Sequence, residues 1–337
     1  MQNRASMNAA AAAAEREALA ALLRAEGLAP ARLRCVARID CDVWRVTPAH
    51  GGAELSLRIY PERKSDPVPI ESEIAWLRAL ADDGQHVPRP VADAEGRFLR
   101  AWRPDPAQPP RHTVLLTWLG GRMHDRGLTP ARLRQVGRFA ARLHATSARL
   151  VRDRAIATPR LAFDSALAAW AAGTYAGADR LPEGLRAQAS RVAATLVDEI
   201  DSFGRDAASW GFVHGDLHPW NLLFARGRAG AIDFSDCGFG HLALDFASTL
   251  QWLRFPYAGN HDPGALYPAL RDALFEGYAQ ERSLPPAIER QVEAYLYARL
   301  VVTLEWMLED WSRLDERAWG PGFLVACERE LRAWRPA

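Results

Sequence analysis

Asp216 and Asn221 stand five residues apart in the stretch FVHGDLHPWNLLF, residues 212–224, and Asp233 follows in AIDF, twelve residues after Asn221. A carboxylate held by a tight loop is suited to receive or orient the proton of a hydroxyl. An amide oxygen and a second carboxylate are hard donors that suit Mg2+. That ion takes one or two carboxylates and draws its other ligands from phosphate oxygens and water. Phosphoryl transfer uses this set: an Asp for the hydroxyl, an Asn five residues later, and a further Asp on metal. Asp216 is therefore the candidate catalytic residue, and Asn221 and Asp233 the candidate metal ligands. The five-residue spacing alone is weak, but the preceding His-Gly pair, the following strand pattern and the Ile-Asp-Phe triplet make it specific. A buried polar turn costs free energy unless its groups are paired. His214, His218 and Pro219 are accordingly expected to shape the turn, and Asp245, in the otherwise apolar HLALDFAS, to act as a buried acceptor that pins the loop.

Such residues need elements to hold them. Residues 9–26 carry a helical apolar pattern stopped by Gly27. LRCVARID, DVWRVT and AELSLRIY read as short strands, with Gly51 and Gly52 in a hairpin loop. IESEIAWLRALADDG has apolar residues at 70, 74, 77 and 80, a helical spacing closed by Gly84. RFLRAWR and RHTVLLTWLGG read as two more strands, divided by PDPAQPP. From Thr129 the chain reads as helices at 129–148, 164–173, 183–206, 241–254, 263–280, 285–311 and 320–334. The exception is NLLFARGRAGAIDF, which predicts two strands around a turn. The expected class is α+β: a lobe of antiparallel sheet with a leading helix, residues 1–118, then a larger, mainly helical lobe, residues 119–337. A short hinge is expected near Gly120 and Gly121.

Composition narrows the function. Of the 337 residues 49% are apolar and 25% charged, enough to bury a sizeable core. The net charge of +1 removes the electrostatic argument for a nucleic-acid partner. Lys64 is the single lysine among 42 basic residues. The four cysteines fit no zinc spacing and read as buried residues of a reducing cytosol. No run of 18 apolar residues predicts a membrane span, and the acidic residues after the alanine run at 9–14 argue against a signal peptide. A cytoplasmic protein is expected, with neither membrane nor nucleic acid as partner.

The segments FVHGDLHPWNLL, AIDFSDCGFGHLALDFAS, LSLRIY, ESEIAWLRAL and LLTWLGG, whose order along the chain spans residues 28–255, resemble the aminoglycoside phosphotransferase and choline kinase-like superfamily, kin of protein kinases. The resemblance implies a bilobal protein-kinase-like fold, ATP and Mg2+ as cofactors, and phosphate transfer to the hydroxyl of a small molecule. It places Arg58 where the family often has a strand lysine that touches the α and β phosphates, with Glu73 as its ion-pair partner. Arginine is longer and forked, and can grip phosphate and carboxylate together. Glu71 competes with Glu73, but Glu73 neighbours Ile74 and Leu77 on the apolar side, while Glu71 lies farther round. There is no G-x-G-x-x-G; the turn RIDCDVWRV stands there, with backbone N–H groups near Asp40 to Asp42 as candidate phosphate contacts. The resemblance also assigns the adenine contacts to the backbone of Thr117 and Leu119, with Trp118 turned into packing.

The acceptor is less defined. The window 301–316, VVTLEWMLEDWSRLDE, holds five acids and one base. It reads either as a solvated helix face or as a pocket for a cationic acceptor. In the second reading Glu305 and Glu309 pair with the cation, and Trp306 or Trp311 offers a ring face. SDCGFGHLALDFA also resembles homoserine kinase-like and hydroxylysine kinase-like members. Two other readings stay open: a non-catalytic nucleotide-binding pseudokinase, and a bacterial serine/threonine protein kinase. Against the latter, the chain is expected to pass straight from IDFSDCGFG into a helix, with no activation segment.

Overall fold

The computed structural model describes residues 2–38, 41–103, 107, 109–124, 127–153, 156, 162–255, 266–309 and 320–336. Side chains are described for these residues except 2–12, 162, 306, 309 and 320–323. The chain divides into two compact units, Met1–Gly120 and Gly121–Ala337.

The first unit is a five-stranded antiparallel sheet with two helices. Helix α1, Gln2–Ala25, leads into β1, Pro30–Arg38, β2, Asp42–Pro48, and β3, Leu55–Ile59. Helix α2, Pro67–Asp82, then precedes β4, Leu99–Trp102, and β5, Arg111–Thr117. The spatial order is β1-β2-β3-β5-β4. Period-two alternation sends Trp44, Val46, Leu57, Ile59 and Leu115 to one face, where Leu19 and Leu23 of α1 cover them. Each fully buried leucine there contributes about 1.5–3 kcal/mol. Arg58 alternates onto the other face, opposite Val43 and Val114 in the ladder. Helix α2 starts cleanly because Asp66 caps the Val68 N–H at 3.0 Å and proline occupies its first turn. Its buried stripe includes Ile70, Glu73, Ile74, Leu77 and Leu80, the helical spacing expected from the sequence.

The second unit is mainly helical. It contains α3, Pro130–Arg152; α4, Ala162–Ala171; α5, Glu183–Ser202; α6, Ala243–Arg254; α7, Tyr267–Ala279; α8, Ile288–Glu309; and α9, Gly320–Ala333. Its strands are β6, Arg122–Met123; β7, Trp210–Val213; β8, Leu222–Ala225; β9, Arg228–Ala231; and β10, Gly238–His241. The β8–β9 hairpin turns on Arg226 and Gly227, φ +49° and +73°. Two left-handed residues give the twist a two-residue hairpin needs. Helices α3 and α7 meet backbone to backbone. A Cβ built on Gly137 would lie 2.1 Å from the Leu274 carbonyl oxygen, and one on Gly277 2.2 Å from that of Arg134. No helix among the described residues is long and apolar enough to cross a membrane.

Two expectations are corrected. Residues 238–241, inside the IDFSDCGFG stretch and its exit, form an unexpected strand, β10, antiparallel to β7, and the helix expected after that stretch, α6, starts at Ala243 rather than 241. Gly238 and Gly240 mask the strand in the sequence, and pairing with β7 supplies the order that local propensity lacks. The two-residue β6, paired with β8, was not expected either.

Candidate active site

Strand β7 delivers the chain to Gly215, whose φ of +81° turns the loop sharply with no Cβ in the way. Asp245 then fastens the turn. Its carboxylate accepts the backbone N–H groups of His214 at 3.0 Å and Gly215 at 2.8 Å, and it meets the Nε2 of His144 at 3.0 Å. The Nδ1 of His144 lies 3.1 Å from the Tyr278 hydroxyl. Burial pushes the Asp245 carboxyl up, but His144 and the backbone donors outweigh it and hold the acid below its ordinary range. Burial pushes His144 the other way, below its ordinary value, against the pull of Asp245. The pair is thus a neutral imidazole donating to a carboxylate. His214 is fully buried, and its Nε2 reaches the Ile232 carbonyl at 3.1 Å.

The rest of α6 continues along the loop. Ser248 donates to the Gly215 carbonyl at 3.3 Å, Thr249 to that of Leu217 at 2.6 Å, and Trp252 packs against His218 and Trp220 with ring centroids 6.3 and 4.5 Å away. Positions 245, 248, 249 and 252 form one face of a helix of 3.6 residues per turn. One face of α6 therefore grips the loop from His214 to Trp220.

Asp216 emerges from this clamp with its side chain 28% exposed. Its Oδ1 accepts from Nη2 of Arg299 at 2.9 Å. Its Oδ2 lies 3.2 Å from Nε2 of His218. Asn221 donates through Nδ2 to the Asp216 backbone carbonyl at 3.0 Å and to its Oδ2 at 3.3 Å. Burial works against the Asp216 charge, but His218 and then Arg299 overcome it and hold the carboxyl far below the carboxylate range. Asn221 is in turn linked to the Asp233 segment, because its backbone carbonyl accepts the Ile232 N–H at 3.0 Å. Asp233 adopts φ +63°, a left-handed conformation rare for a residue with a Cβ, and its Oδ1 accepts from the Ser235 hydroxyl at 3.0 Å. The structure thus brings Asp216, Asn221 and the approach to Asp233 into one loop-and-hairpin framework.

Within the first unit, Arg58 and Glu73 are buried and paired, Nη1 to Oε1 at 2.7 Å. The Tyr60 hydroxyl donates to the other Glu73 oxygen at 2.7 Å. Glu71 is exposed. The Thr117 N–H donates to the Arg89 carbonyl and its hydroxyl accepts the Arg89 N–H, both at 2.9 Å; Leu119 is half-buried two residues on. Trp118 lies under the Arg45 guanidinium, 4.6 Å from centroid to carbon. Arg45 also pairs with Glu54. Glu305 sits on α8 with its backbone carbonyl 3.5 Å from the Tyr175 hydroxyl. It is six residues past Arg299, roughly 240° round the helix, so the two occupy different faces. The side chains of Glu309 and Trp306 lie outside the described residues, as do Asp40, Asp310, Trp311, Arg313, Asp315 and Glu316.

Sequence reading missed Arg299, Gln251, Trp220 and Trp252. Arg299 and Gln251 sit on helices whose apolar pattern gives no sign of a polar cluster. Trp220 lay in plain view between Pro219 and Asn221. Its indole is 36% exposed on a loop whose other members are largely buried, which only the structure reveals.

Comparison with known proteins bears on these geometries together. A family model described as the phosphotransferase enzyme family matches residues 36–295. A homoserine kinase of Gluconacetobacter diazotrophicus is 29% identical over 261 residues, covering 77% of this chain and 75% of that protein. Among solved structures, the amicoumacin kinase hAmiN in complex with AMP-PNP, Ca2+ and Ami superposes with a TM-score of 0.76 at 20% identity, over 94% of this chain and 93% of that one. A microcompartment-associated aminopropanol kinase superposes with a TM-score of 0.71 at 26% identity, over 90% and 93%.

Proposed function

Because the chain belongs to the phosphotransferase enzyme family, we propose that it moves the γ-phosphoryl group of ATP, in the presence of Mg2+, to the hydroxyl of a small amine-bearing molecule. The observation that carries this reading is the shared framework of Asp216, Asn221 and Asp233, tied by the Asn221–Ile232 backbone bond. Asp216 orients the acceptor hydroxyl. Held ionised by His218 and Arg299, it accepts a hydrogen bond from the hydroxyl and orients it, a role that suffices because phosphoryl transfer asks little covalent work of the protein.

Asn221 and Asp233 fit a divalent cation. Asn221 spends its amide nitrogen on Asp216, which leaves Oδ1 as its metal donor, and Asp233 adds a carboxylate. No cluster of three or more histidine, cysteine or acidic side chains that could hold a metal occurs among the described residues. A site of one amide and one carboxylate suits an ion that takes its remaining ligands from phosphate and water. Bound there, Mg2+ would neutralise charge gathering on the phosphates. In the first unit, Arg58 contacts the α and β phosphates while Glu73 holds it in place, and the backbone of Thr117 and Leu119 receives adenine.

For the acceptor, the favoured surface is the Trp220–Trp252 pair beside His218 rather than the acidic window that contains Glu305 and Glu309. The Trp220 indole, 36% exposed and 5.5 Å from the His218 ring, offers an aromatic surface that attracts an ammonium group and covers an alkyl chain. The homoserine and aminopropanol named for the relatives both carry an amine near a hydroxyl. The test is ADP release with MgATP across a panel of L-homoserine, 1-amino-2-propanol, choline and aminoglycosides, each beside a neutral isostere. Failure to bind any nucleoside triphosphate with Mg2+ sinks the kinase reading. Equal turnover of neutral isosteres sinks the amine preference alone.

A further inference from the structure

Arg299 comes from α8, more than eighty residues downstream of Asp216, yet the residue is only 9% exposed and its guanidinium is bonded at every nitrogen. Nη2 donates to Oδ1 of Asp216 at 2.9 Å. Nη1 donates to the Gly215 carbonyl at 3.0 Å. Nε donates to Oε1 of Gln251 on α6 at 2.8 Å, and Gln251 is itself held by Thr303 at 2.9 Å. Thr303 closes the circuit by donating to the Arg299 carbonyl at 2.7 Å.

We propose that Arg299 is a positioning residue for the transfer, fixing the backbone at Gly215 and the carboxylate of Asp216 with two arms of one planar group. The inference rests on the reading of Asp216 as the residue that faces the acceptor hydroxyl. A buried cation is costly unless it is paired and hydrogen-bonded with good geometry, so a chain that needed only to neutralise Asp216 has simpler means. The fork adds geometry. With Nη1 on the loop carbonyl and Nη2 on the side chain, rotation of the Asp216 carboxylate breaks its bond to Nη2 while Nη1 keeps the guanidinium anchored on Gly215. Gln251 removes the remaining freedom by holding Nε. One carboxylate oxygen is thus assigned to Arg299, and the other to His218 and Asn221. Each guanidinium nitrogen is engaged within this network, three of its five N–H groups being spent on Gln251, Gly215 and Asp216, so the role assigned to Arg299 runs through Asp216. Lysine, a compact point charge, supplies the charge without the plane. Misplacing a reacting group by about 1 Å costs roughly 10²-fold in rate, which sets the scale expected.

The experiment compares Arg299→Lys, Arg299→Ala and Gln251→Leu with the wild type, using MgATP and whichever of L-homoserine or 1-amino-2-propanol turns over faster. MgATP affinity by calorimetry, acceptor KM, kcat and the thermal midpoint are read for each. Arg299→Ala is expected to lower kcat about 10²-fold, with MgATP affinity and acceptor KM within about threefold of wild type. Arg299→Lys should stay at least about tenfold slow, because charge without the fork leaves the carboxylate loose. Ethylguanidine should restore part of kcat to Arg299→Ala and none to Asp216→Ala. Gln251→Leu, which keeps the arginine and drops one tether, should show a smaller fall in kcat. A lysine variant at wild-type rate overturns the proposal. So does an alanine variant whose rate per folded molecule is unchanged, or whose defect lies in KM. Wild-type turnover by Asp216→Ala overturns the parent reading instead, and no Arg299 variant is needed to see it.

Discussion

Asp233 holds a left-handed backbone conformation at φ +63°, while Asp216 sits in a net of three side chains. Strain of this kind costs of order 1–3 kcal/mol and persists where the surroundings over-determine it. Glycine would relieve the strain at Asp233 but supply no oxygen, which is why a carboxylate there points to metal. The two acids should therefore fail differently. Asp233→Ala is expected to weaken MgATP binding more than Asp216→Ala does, measured by calorimetry with and without Mg2+; the reverse order would exchange the two roles. Asp216→Ala should lower kcat by roughly 10²–10⁴-fold with little change in the KM for ATP, the usual span for help with a proton. Near-normal turnover would make Asp216 structural. These residues were legible in the sequence because the motif keeps them within one short segment. Arg299 was not, since nothing local distinguishes a buried helical arginine from a surface one until the fold brings it to Asp216.

Helix α6 works as a jig for the loop, with Asp245, Ser248, Thr249 and Trp252 meeting successive residues from His214 to Trp220. Thr249→Val keeps the shape and deletes the donor to the Leu217 carbonyl. It leaves a buried acceptor without that bond, a loss of about 1–3 kcal/mol in stability. Denaturant unfolding should show that loss, and kcat should fall more than ATP affinity does; unchanged stability and rate would mean that water replaces the hydroxyl. The helix itself was readable from apolar spacing, and so was Asp245 as a buried acceptor, because a lone acid in an apolar helix must find donors. Strand β10 was not readable. Its two glycines carry no strand propensity, and its order comes from β7, some 25 residues earlier in the chain. The Arg58–Glu73 pairing was legible for the opposite reason: a strand and a helix with clear periods fix which faces meet.

Across the whole molecule, buried histidines make stability depend on pH. Burial lowers the affinity of His144 and of His241 for a proton, so the unfolded chain binds protons that the folded chain refuses. By linkage, stability then rises with pH wherever the unfolded state is the better proton acceptor. The loss should set in as pH falls through about 6.5, the ordinary histidine value, at up to about 1.4 kcal/mol per pH unit per histidine. Asp245 and Asp216, held low when folded, add a further loss below about pH 4. His144→Gln retains a donor for Asp245 and should flatten the thermal midpoint between pH 7 and 5, with His241 supplying the residual slope. An equally steep profile in that variant would remove His144 as the cause. The same His144 reaches Tyr278 on α7, and α7 approaches α3 only because Gly137 and Gly277 leave room for backbone contact. In a saturation screen scored on activity, these two glycines should tolerate replacement as poorly as Asp216, although neither carries any reactive group. A map of the site drawn from such scores would therefore enlist two bystanders. Scoring abundance beside activity separates them: at Gly137 and Gly277 both readings should fall together, and at Asp216 activity should fall alone.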